Sequence, residues 1–224
     1  MKQVIGPCTL YLGDCLEIAP NIKDVVSLVS DPPYGIEMCI HSPGRLAKTN
    51  KFQHVKIKGD DKPFDPIPWL KYPNVILWGG NHFADKLPSR ARWLVWDKRE
   101  GSGSNDFADC EIAWTSDKRP AKLFRYLWNG AIKKGERHES RVHPSQKPIC
   151  LMEWCLSFVP KGLVLDPYMG GGSTGVACVR RGYPFVGIEI VPEYFDAACS
   201  RIEREVKKMK ATLLGPIAFG SQNG

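Results

Sequence analysis

The sequence predicts an α/β fold with an open, mostly parallel sheet, and three stretches carry that prediction. Residues 25–30, VVSLVS, form an apolar run with the length of one buried strand. Residues 162–182, GLVLDPYMGGGSTGVACVRRG, read as a strand, a glycine loop and a helix. Residues 183–190, YPFVGIEI, supply the next strand. A strand, helix and strand in succession are typical of a parallel sheet covered by helices.

Apolar periodicity and turn residues predict the remaining elements. Strands are predicted within residues 8–14, 91–98 and 109–116, a strand, glycine turn and helix across 73–87, and helices within 149–159 and 191–210. Ser145 is a plausible N-cap for the helix over 149–159, because Pro148 is tolerated in a first turn. Residues 101–104, GSGS, predict a flexible, hairpin-like connection.

Bulk composition indicates one soluble globular domain over residues 1–224. The chain has 224 residues, of which 43% are hydrophobic and 25% charged. It shows neither a bilayer-length apolar stretch nor a secretory leader pattern at its start. The eight cysteines form no C-x-x-C pair and lie mostly in apolar context, which predicts reduced core thiols. We expect no metal site, since the five histidines do not pair with cysteines at zinc-ligand spacing.

The net charge of +7 is concentrated in two segments. Residues 39–62 carry six Lys/Arg against two Asp, and residues 117–147 carry nine Lys/Arg against three acids. The rest of the chain is therefore slightly acidic. This distribution is typical of a polyanion-binding surface on a near-neutral scaffold, although two solvated basic loops would give the same count.

The stretch Asp31–Gly35, DPPYG, follows the first apolar run, where two prolines must end the strand. It places a carboxylate, rigid carbonyls and an aromatic ring at the edge of the sheet where ligands bind in α/β folds. Asp31 and the Pro32 carbonyl could each accept one N–H of an exocyclic amine, and Tyr34 could stack on its base. A proline-rich turn capped by aspartate is the alternative.

The glycine loop indicates a nucleotide-type cofactor. Gly170, Gly172 and Gly175 satisfy G-x-G-x-x-G, and Glu189 ends the next strand, where an acid suits a ribose hydroxyl pair. A dinucleotide is the rival ligand, but Asp166 enters the loop and would repel a pyrophosphate. An α-amino acid bearing a sulfonium would not be repelled. Asp14, at another strand end, suits an adenine edge, although it could also serve as a helix N-cap.

Four motifs in this order resemble the β group of DNA amino-methyltransferases, the N6-adenine/N4-cytosine family: DPPYG at Asp31, HPSQKP at His143, DPYMGGGSTG at Asp166 and GIE at Gly187. The resemblance implies a circularly permuted, Rossmann-like S-adenosylmethionine-dependent sheet of seven mostly parallel strands with an antiparallel edge strand. It implies catalytic roles for Asp31, Pro32, Pro33 and Tyr34. It implies a cofactor site made of Asp14, Cys15, Asp31, Ser145, Lys147, Asp166, Pro167, Tyr168, Gly170, Gly172, Ser173, Thr174 and Glu189.

Two departures stand out. Tyr168 replaces the family's usual Phe, and Gly171-Gly172-Ser173 alters the small-residue pattern of the loop. The region available for target recognition is also short, so a compact domain of this kind would grip duplex DNA better as a homodimer.

The resemblance implies direct methyl transfer from S-adenosylmethionine to a flipped-out DNA base, without a covalent enzyme intermediate. Adenine N6 is favoured over cytosine N4 because aspartate leads the catalytic motif. An RNA or protein amine methyltransferase and a silent nucleic-acid-binding module are the alternatives. Such an enzyme would be cytoplasmic, from a bacterium, phage or mobile element, in a restriction–modification setting.

Double-stranded DNA is the expected partner. Residues 39–62 are interpreted as a mobile basic lid, with disorder as the competing reading, and 117–141 as a target-recognition segment in which basic residues interleave with aromatic ones. The expected DNA contacts are Arg45, Lys48, Lys51, Lys118, Arg119, Lys122, Arg125, Lys133 and Lys134. The alternative for the second segment is a strand edge with Phe124 and Tyr126 in the core.

Overall fold

The computed structural model describes residues 1–37, 56–90, 92–101, 103, 108–129, 132–135 and 141–214. Within them the strands are β1 (Lys2–Ile5), β2 (Cys8–Leu12), β3 (Val25–Ser30), β4 (Asn74–Trp78), β5 (Trp93–Asp97), β6 (Cys110–Thr115), β7 (Lys122–Arg125), β8 (Trp128–Asn129), β9 (Ile132–Lys133), β10 (Leu163–Asp166) and β11 (Phe185–Glu189). The α-helices are α1 (Cys15–Ile18), α2 (Ile149–Leu156), α3 (Ser173–Arg181) and α4 (Pro192–Leu214).

One sheet organises the molecule, in the order β1-β2-β11-β10-β3-β4-β6-β5-β7. Neighbours from β2 to β4 pair in parallel, as do β5 and β7, whereas β1–β2, β4–β6 and β5–β6 are antiparallel. The predicted α/β class and mostly parallel sheet are confirmed. Over the described residues the sheet is two strands wider than the expected seven. β1 and β7 occupy its two ends, and most of their residues are exposed, so neither carries the apolar run of a central strand.

The carboxyl ends of the central strands β10 and β3 lie at one edge of the sheet, which we call the site edge. From β10 the chain crosses through α3 to β11 on one side, while β3 pairs with β4 on the other. The strand order therefore reverses here, which in open α/β sheets opens a ligand crevice at the carboxyl ends of the strands. Ser30 and Asp166 end the two strands and are joined by a 2.6 Å hydrogen bond, although they lie 136 residues apart.

Helices and short turns cover the sheet with two apolar clusters. One cluster combines Trp78 and Trp96 with residues of α2, α3 and α4, and the other packs Trp69 and Phe83 against Leu28. α4 lies where the amphipathic pattern predicts it. The seven cysteines within the described residues are free thiols. None of the helices described there is both long and apolar enough to cross a bilayer.

Two local predictions were wrong. The expected helix after β4 is a pair of 3₁₀ turns, Gly80–His82 and Ala84–Lys86, because Gly79 turns the chain with φ +74° and Pro88 follows soon after. The N-cap of α2 is Pro148 in an extended conformation, with no side-chain cap. Ser145 lies three residues upstream and does not cap that helix.

Candidate active site

The DPPYG loop leaves β3 as a fixed turn. The Tyr34 hydroxyl donates to Asp31 Oδ1 at 2.6 Å. The Gly35 and Ile36 amides donate to Asp60 Oδ1 at 2.8 and 3.3 Å. Gly35 has φ +76°, and a Cβ there would come within 2.4 Å of the Lys62 carbonyl oxygen, so this position requires glycine. Asp60 and the backbone of Lys62 therefore hold the loop in this conformation.

The Tyr34 ring is held by the turn that follows β4. It stacks on the exposed His82 ring with a centroid distance of 5.0 Å and an interplanar angle of 14°. A Cβ on Gly79 would lie 2.1 Å from the Tyr34 ring. Burial and the nearby carboxylate of Asp31 raise the pKa of Tyr34 well above 10, which keeps its hydroxyl a donor.

Lys147 reaches the same corner from the segment before α2. Its Nζ lies 2.6 Å from Asp31 Oδ2 and 3.2 Å from the Tyr34 hydroxyl. Nζ also lies 2.9 Å from Oε2 of Glu111, a residue of β6. Burial by itself would lower the pKa of Lys147, but the two carboxylates outweigh burial and raise it, so the ammonium stays charged. Burial raises the pKa of Asp31, and Lys147 opposes that rise.

Asp166 anchors the glycine loop from the end of β10. Asp166 is 2% exposed. Its carboxylate accepts hydrogen bonds from Ser30 Oγ and Thr174 Oγ1, both at 2.6 Å, and from the Tyr168 amide at 3.1 Å. Burial raises the pKa of Asp166 to about 6. α3 then begins at Ser173, directly after Gly172 with φ +77°. A Cβ on Gly172 would lie 2.9 Å from that of Ala198, so this glycine allows the loop to pack against α4.

Glu189, at the end of β11, is hydrogen-bonded to both the glycine loop and the turn that leads into α4. Its Oε2 accepts from the Gly170 amide at 3.0 Å, and its Oε1 accepts from the Ile190 and Val191 amides at 2.9 and 2.8 Å. Burial raises the pKa of Glu189 while these amides oppose the rise. The carboxylate thus fixes the glycine loop against the turn into α4 and keeps lone pairs available for a ligand hydroxyl.

Most of the residues expected at the site line one cavity of about 560 Å³. Those residues are Asp14, Cys15, Asp31, Pro32, Pro33, Tyr34, Ser145, Pro167, Tyr168, Gly170 and Glu189. An adjoining recess of about 30 Å³ is lined by Asp31, Ser145, Lys147, Asp166, Tyr168, Gly170, Ser173 and Thr174, among others. Gly172 lines neither space. Asp14 accepts the Leu16 amide at 2.8 Å as the cap of α1 and also faces the cavity.

Several cavity residues lie outside the sequence expectation. Residues 57–65 form one wall, although the stretch up to residue 62 was expected to be a mobile lid; residues 38–55 lie outside the described ranges. Gly59 and the acids Asp60 and Asp61 were the available signal for an ordered turn. His143 and Tyr194 meet edge to face at 4.4 Å on another wall. Burial, with the cations Lys147 and Arg141, lowers the pKa of His143 to about 3, so the ring is neutral.

The expected DNA contacts divide by position. Arg45, Lys48 and Lys51 lie outside the described residues, as does the side chain of Lys133. Lys118, Arg119 and Lys122 lie toward the sheet edge opposite the cavity, because β6 runs antiparallel to β4 and β7 begins at that edge. Arg125 and Lys134 are exposed; Arg125 lies 3.7 Å from Asp97 at the site edge, and Lys134 lies 2.9 Å from Glu100.

The aromatic residues of this segment are packed into the fold. Phe124 lies 5.1 Å from the Trp154 ring and 5.9 Å from the Tyr126 ring, and both Phe124 and Tyr126 pack against the core cluster. Trp128 is buried. The strand-edge alternative therefore describes these residues, since Phe124 and Tyr126 are half-buried against the core cluster. In the described part of the chain, no group of three or more His, Cys, Asp or Glu side chains is placed to hold a metal ion.

The strand order and the acid-lined crevice define the class of protein: an open, mostly parallel α/β domain with a crevice at the carboxyl ends of its central strands. A family model described as DNA methylase matches residues 95–200. The Type II methyltransferase M2.DpnII of Streptococcus pneumoniae is 28% identical over 143 residues, 61% of this chain and 53% of that protein. Both matches agree with the resemblance to the N6/N4 DNA methylase family that the four motifs predict.

Solved structures agree on the fold. The M1.HpyAVI–SAM complex has a TM-score of 0.55 at 24% identity, covering 87% of this chain and 98% of that one. The PvuII DNA methyltransferase, cytosine-N4-specific, has a TM-score of 0.56 at 14% identity, with 92% of each chain covered. The chain spans about half the length of the curated relatives that it matches.

Proposed function

We propose that this chain transfers a methyl group from S-adenosylmethionine to the exocyclic N6 of adenine in a flipped-out base of double-stranded DNA. The observation that carries this proposal is that the cavity and its adjoining recess join the Asp31–Tyr34 corner to a cradle formed by the Asp166–Gly170 loop and Glu189. The match of residues 95–200 to the family model described as DNA methylase supports the reaction class. The aspartate that leads DPPYG supports adenine over cytosine.

The cradle fits the proposed cofactor by its donor and acceptor set. Glu189 offers carboxylate lone pairs to the ribose hydroxyls. Asp166 offers a buried carboxylate to the ammonium end. Ser145 and Lys147 flank the recess where the methionine carboxylate would lie, and Asp14 and Cys15 line the wall proposed for adenine. When bound, this cofactor supplies an electrophilic methyl on a sulfonium.

Residues Asp31–Tyr34, which we call the amine corner, orient the target amine. Asp31 and the Pro32 carbonyl accept the two N–H groups of the target, so that the nitrogen lone pair points into the cavity. His82 already occupies one face of Tyr34, so an incoming base stacks on the other face or displaces His82. The Tyr34 hydroxyl occupies Asp31 Oδ1, so the amine binds Oδ2, where it takes the place of Lys147 Nζ. After transfer, the nitrogen releases one proton.

DNA binding is proposed for the basic residues at the site edge and for the segment outside the described ranges. Arg125 and Lys134 lie at the site edge, and Arg45, Lys48 and Lys51 belong to the segment outside the described ranges. Contact with the phosphate backbone would position the duplex without reading its sequence.

The test of the function is the chemical fate of a labelled methyl group. The purified chain would be incubated with methyl-labelled S-adenosylmethionine and mixed-sequence duplex DNA, and the DNA digested to nucleosides. Label in N6-methyldeoxyadenosine is expected. Label in N4-methyldeoxycytidine would reassign the base. Label in RNA or protein alone, or no transfer to any acceptor, would reject DNA as the substrate.

Cofactor affinity is expected to depend on pH through Asp166. Burial raises the pKa of this carboxyl to about 6, and a cationic ligand favours its ionised form. Below that pH a proton must leave before the ligand binds, so affinity should fall as the pH drops through about 6 and proton release should appear. Calorimetry in two buffers of different ionisation enthalpy measures both effects.

Asp166→Asn should weaken binding and remove this pH dependence, while Asp65→Asn, at an exposed acid on the cavity wall, should leave it intact. An unchanged pH dependence in Asp166→Asn would assign the titration to another group.

A further inference from the structure

We propose that Glu111, itself held by Lys98, is a positioning residue that retains the Lys147 ammonium when Asp31 exchanges Lys147 for the target amine. The inference deepens the proposed function and rests on it. Neither Glu111 nor Lys98 belongs to the motifs that identify the family.

Four alternating charges form a row at the site edge of the sheet. Lys98 Nζ lies 3.0 Å from Glu111 Oε1, and Glu111 Oε2 lies 2.9 Å from Lys147 Nζ. Lys147 Nζ in turn lies 2.6 Å from Asp31 Oδ2. The antiparallel pairing of β5 and β6 builds the outer half of the row, since Lys98 follows the end of β5 and Glu111 pairs with Trp96 near the start of β6.

Because the Lys147 side chain is buried, its ammonium needs a carboxylate partner at all times. The Lys147 side chain is 7% exposed, so an unpaired ammonium there would be strongly unfavourable. Two carboxylates share it. Lys147 can therefore leave Asp31 Oδ2 and remain paired with Glu111, which makes Oδ2 available to an amine N–H. Without the Glu111 charge, binding of the amine to Asp31 Oδ2 would leave the buried Lys147 ammonium without a carboxylate partner.

Lys98 completes the balance of charge. The row holds two cations and two carboxylates, so it carries no net charge. Burial would raise the pKa of Glu111, but Lys147 and Lys98 outweigh burial and lower the pKa to about 2. Glu111 thus stays ionised over any working pH range and is a constant partner for Lys147.

The test compares two glutamate-to-glutamine variants. Glu111→Gln removes the inner charge with little change in shape, and Glu203→Gln makes the same change in an exposed ion pair with Lys207 on α4. In Glu111→Gln we expect kcat for methyl transfer to fall about tenfold, with KM for DNA and the Kd for S-adenosylmethionine within about threefold of the original protein. Lys98→Met should give a smaller fall in kcat, and Glu203→Gln none.

The pH profile separates positioning from a structural effect. Within the described residues, the titratable groups that interact with Asp31 include Lys147, Glu111, Tyr34 and Asp166. Of these, Glu111 raises the pKa of Asp31, so its neutralisation should move the acid limb of kcat to lower pH. A kcat within about twofold of the original would overturn the proposal. So would a parallel loss of kcat, cofactor binding and thermal stability.

A measurement on the ligand-free protein tests the pairing of Glu111 with Lys147 independently of the proposed methyl transfer. The ¹⁵Nζ ammonium resonance of Lys147, assigned through Lys147→Met, should shift in Glu111→Gln and stay unchanged in Glu203→Gln. A resonance unaffected by Glu111→Gln would reject the pairing. If the original protein methylates no DNA but the resonance shifts as expected, the proposed function falls and the pairing between Glu111 and Lys147 stands.

Discussion

Replacing Asp31 with alanine is expected to lower methyl transfer about a thousandfold or more, while S-adenosylmethionine binding changes only a few fold. The carboxylate stands beside Tyr34 and Lys147 in the amine corner. The proposed cradle is built mainly from β10 and β11, through Asp166 and Glu189. Loss of Asp31 therefore removes the acceptor for the target amine and leaves most of the cofactor contacts in place.

Single-turnover methyl transfer and calorimetric cofactor binding check this prediction together. Asp31→Asn keeps the shape and removes the charge, so it should resemble alanine in activity and lie closer to the original protein in stability. Asp196→Ala, an exposed aspartate on α4, is the matched control and should change neither quantity. If Asp31→Ala lost cofactor binding and transfer in the same proportion, the division between corner and cradle would be wrong.

Gly79→Ala is expected to destabilise the fold by about 2–4 kcal/mol and to abolish most activity. Two effects add. The backbone has φ +74°, which is unfavourable for alanine, and the new Cβ would lie 2.1 Å from the Tyr34 ring. The ring must move, which breaks its stacking on His82 and its hydrogen bond to Asp31.

Gly101→Ala separates the two effects. Gly101 has φ +82°, yet no atom of the described residues lies within 4 Å of the position that a Cβ would take there. This control should show the backbone cost alone, about 1–2 kcal/mol, with activity retained. Urea unfolding and methyl-transfer rates of both variants decide the matter. Equal destabilisation of the two would mean that the Tyr34 contact carries no weight.

The sequence predicts those parts of the site that local rules determine. An apolar run that stops at two prolines fixes the end of β3 and the position of Asp31, and the run before Asp166 does the same for β10. Because both strands are parallel neighbours, their ends meet. The motif order then predicts the family.

Contacts made across the sheet were not predictable in this way. Glu111 lies in a strand of ordinary alternation, and nothing local shows that it faces Lys147. Asp60 lies in a polar, basic stretch, and its role appears only when it binds the Gly35 amide. For Phe124 the sequence left two readings open, and packing against Trp154 decides between them. In each case a distant partner determines the role.

The pairing of β3 with β10 determines when β3 can complete its hydrogen bonding during translation. Asp166 is synthesised 136 residues after Ser30, so one edge of β3 stays unpaired while those residues are added. During that interval Leu28 and Val29, fully buried in the finished fold, lack one of their neighbours. We expect the nascent polypeptide to engage holding chaperones until the C-terminal third emerges.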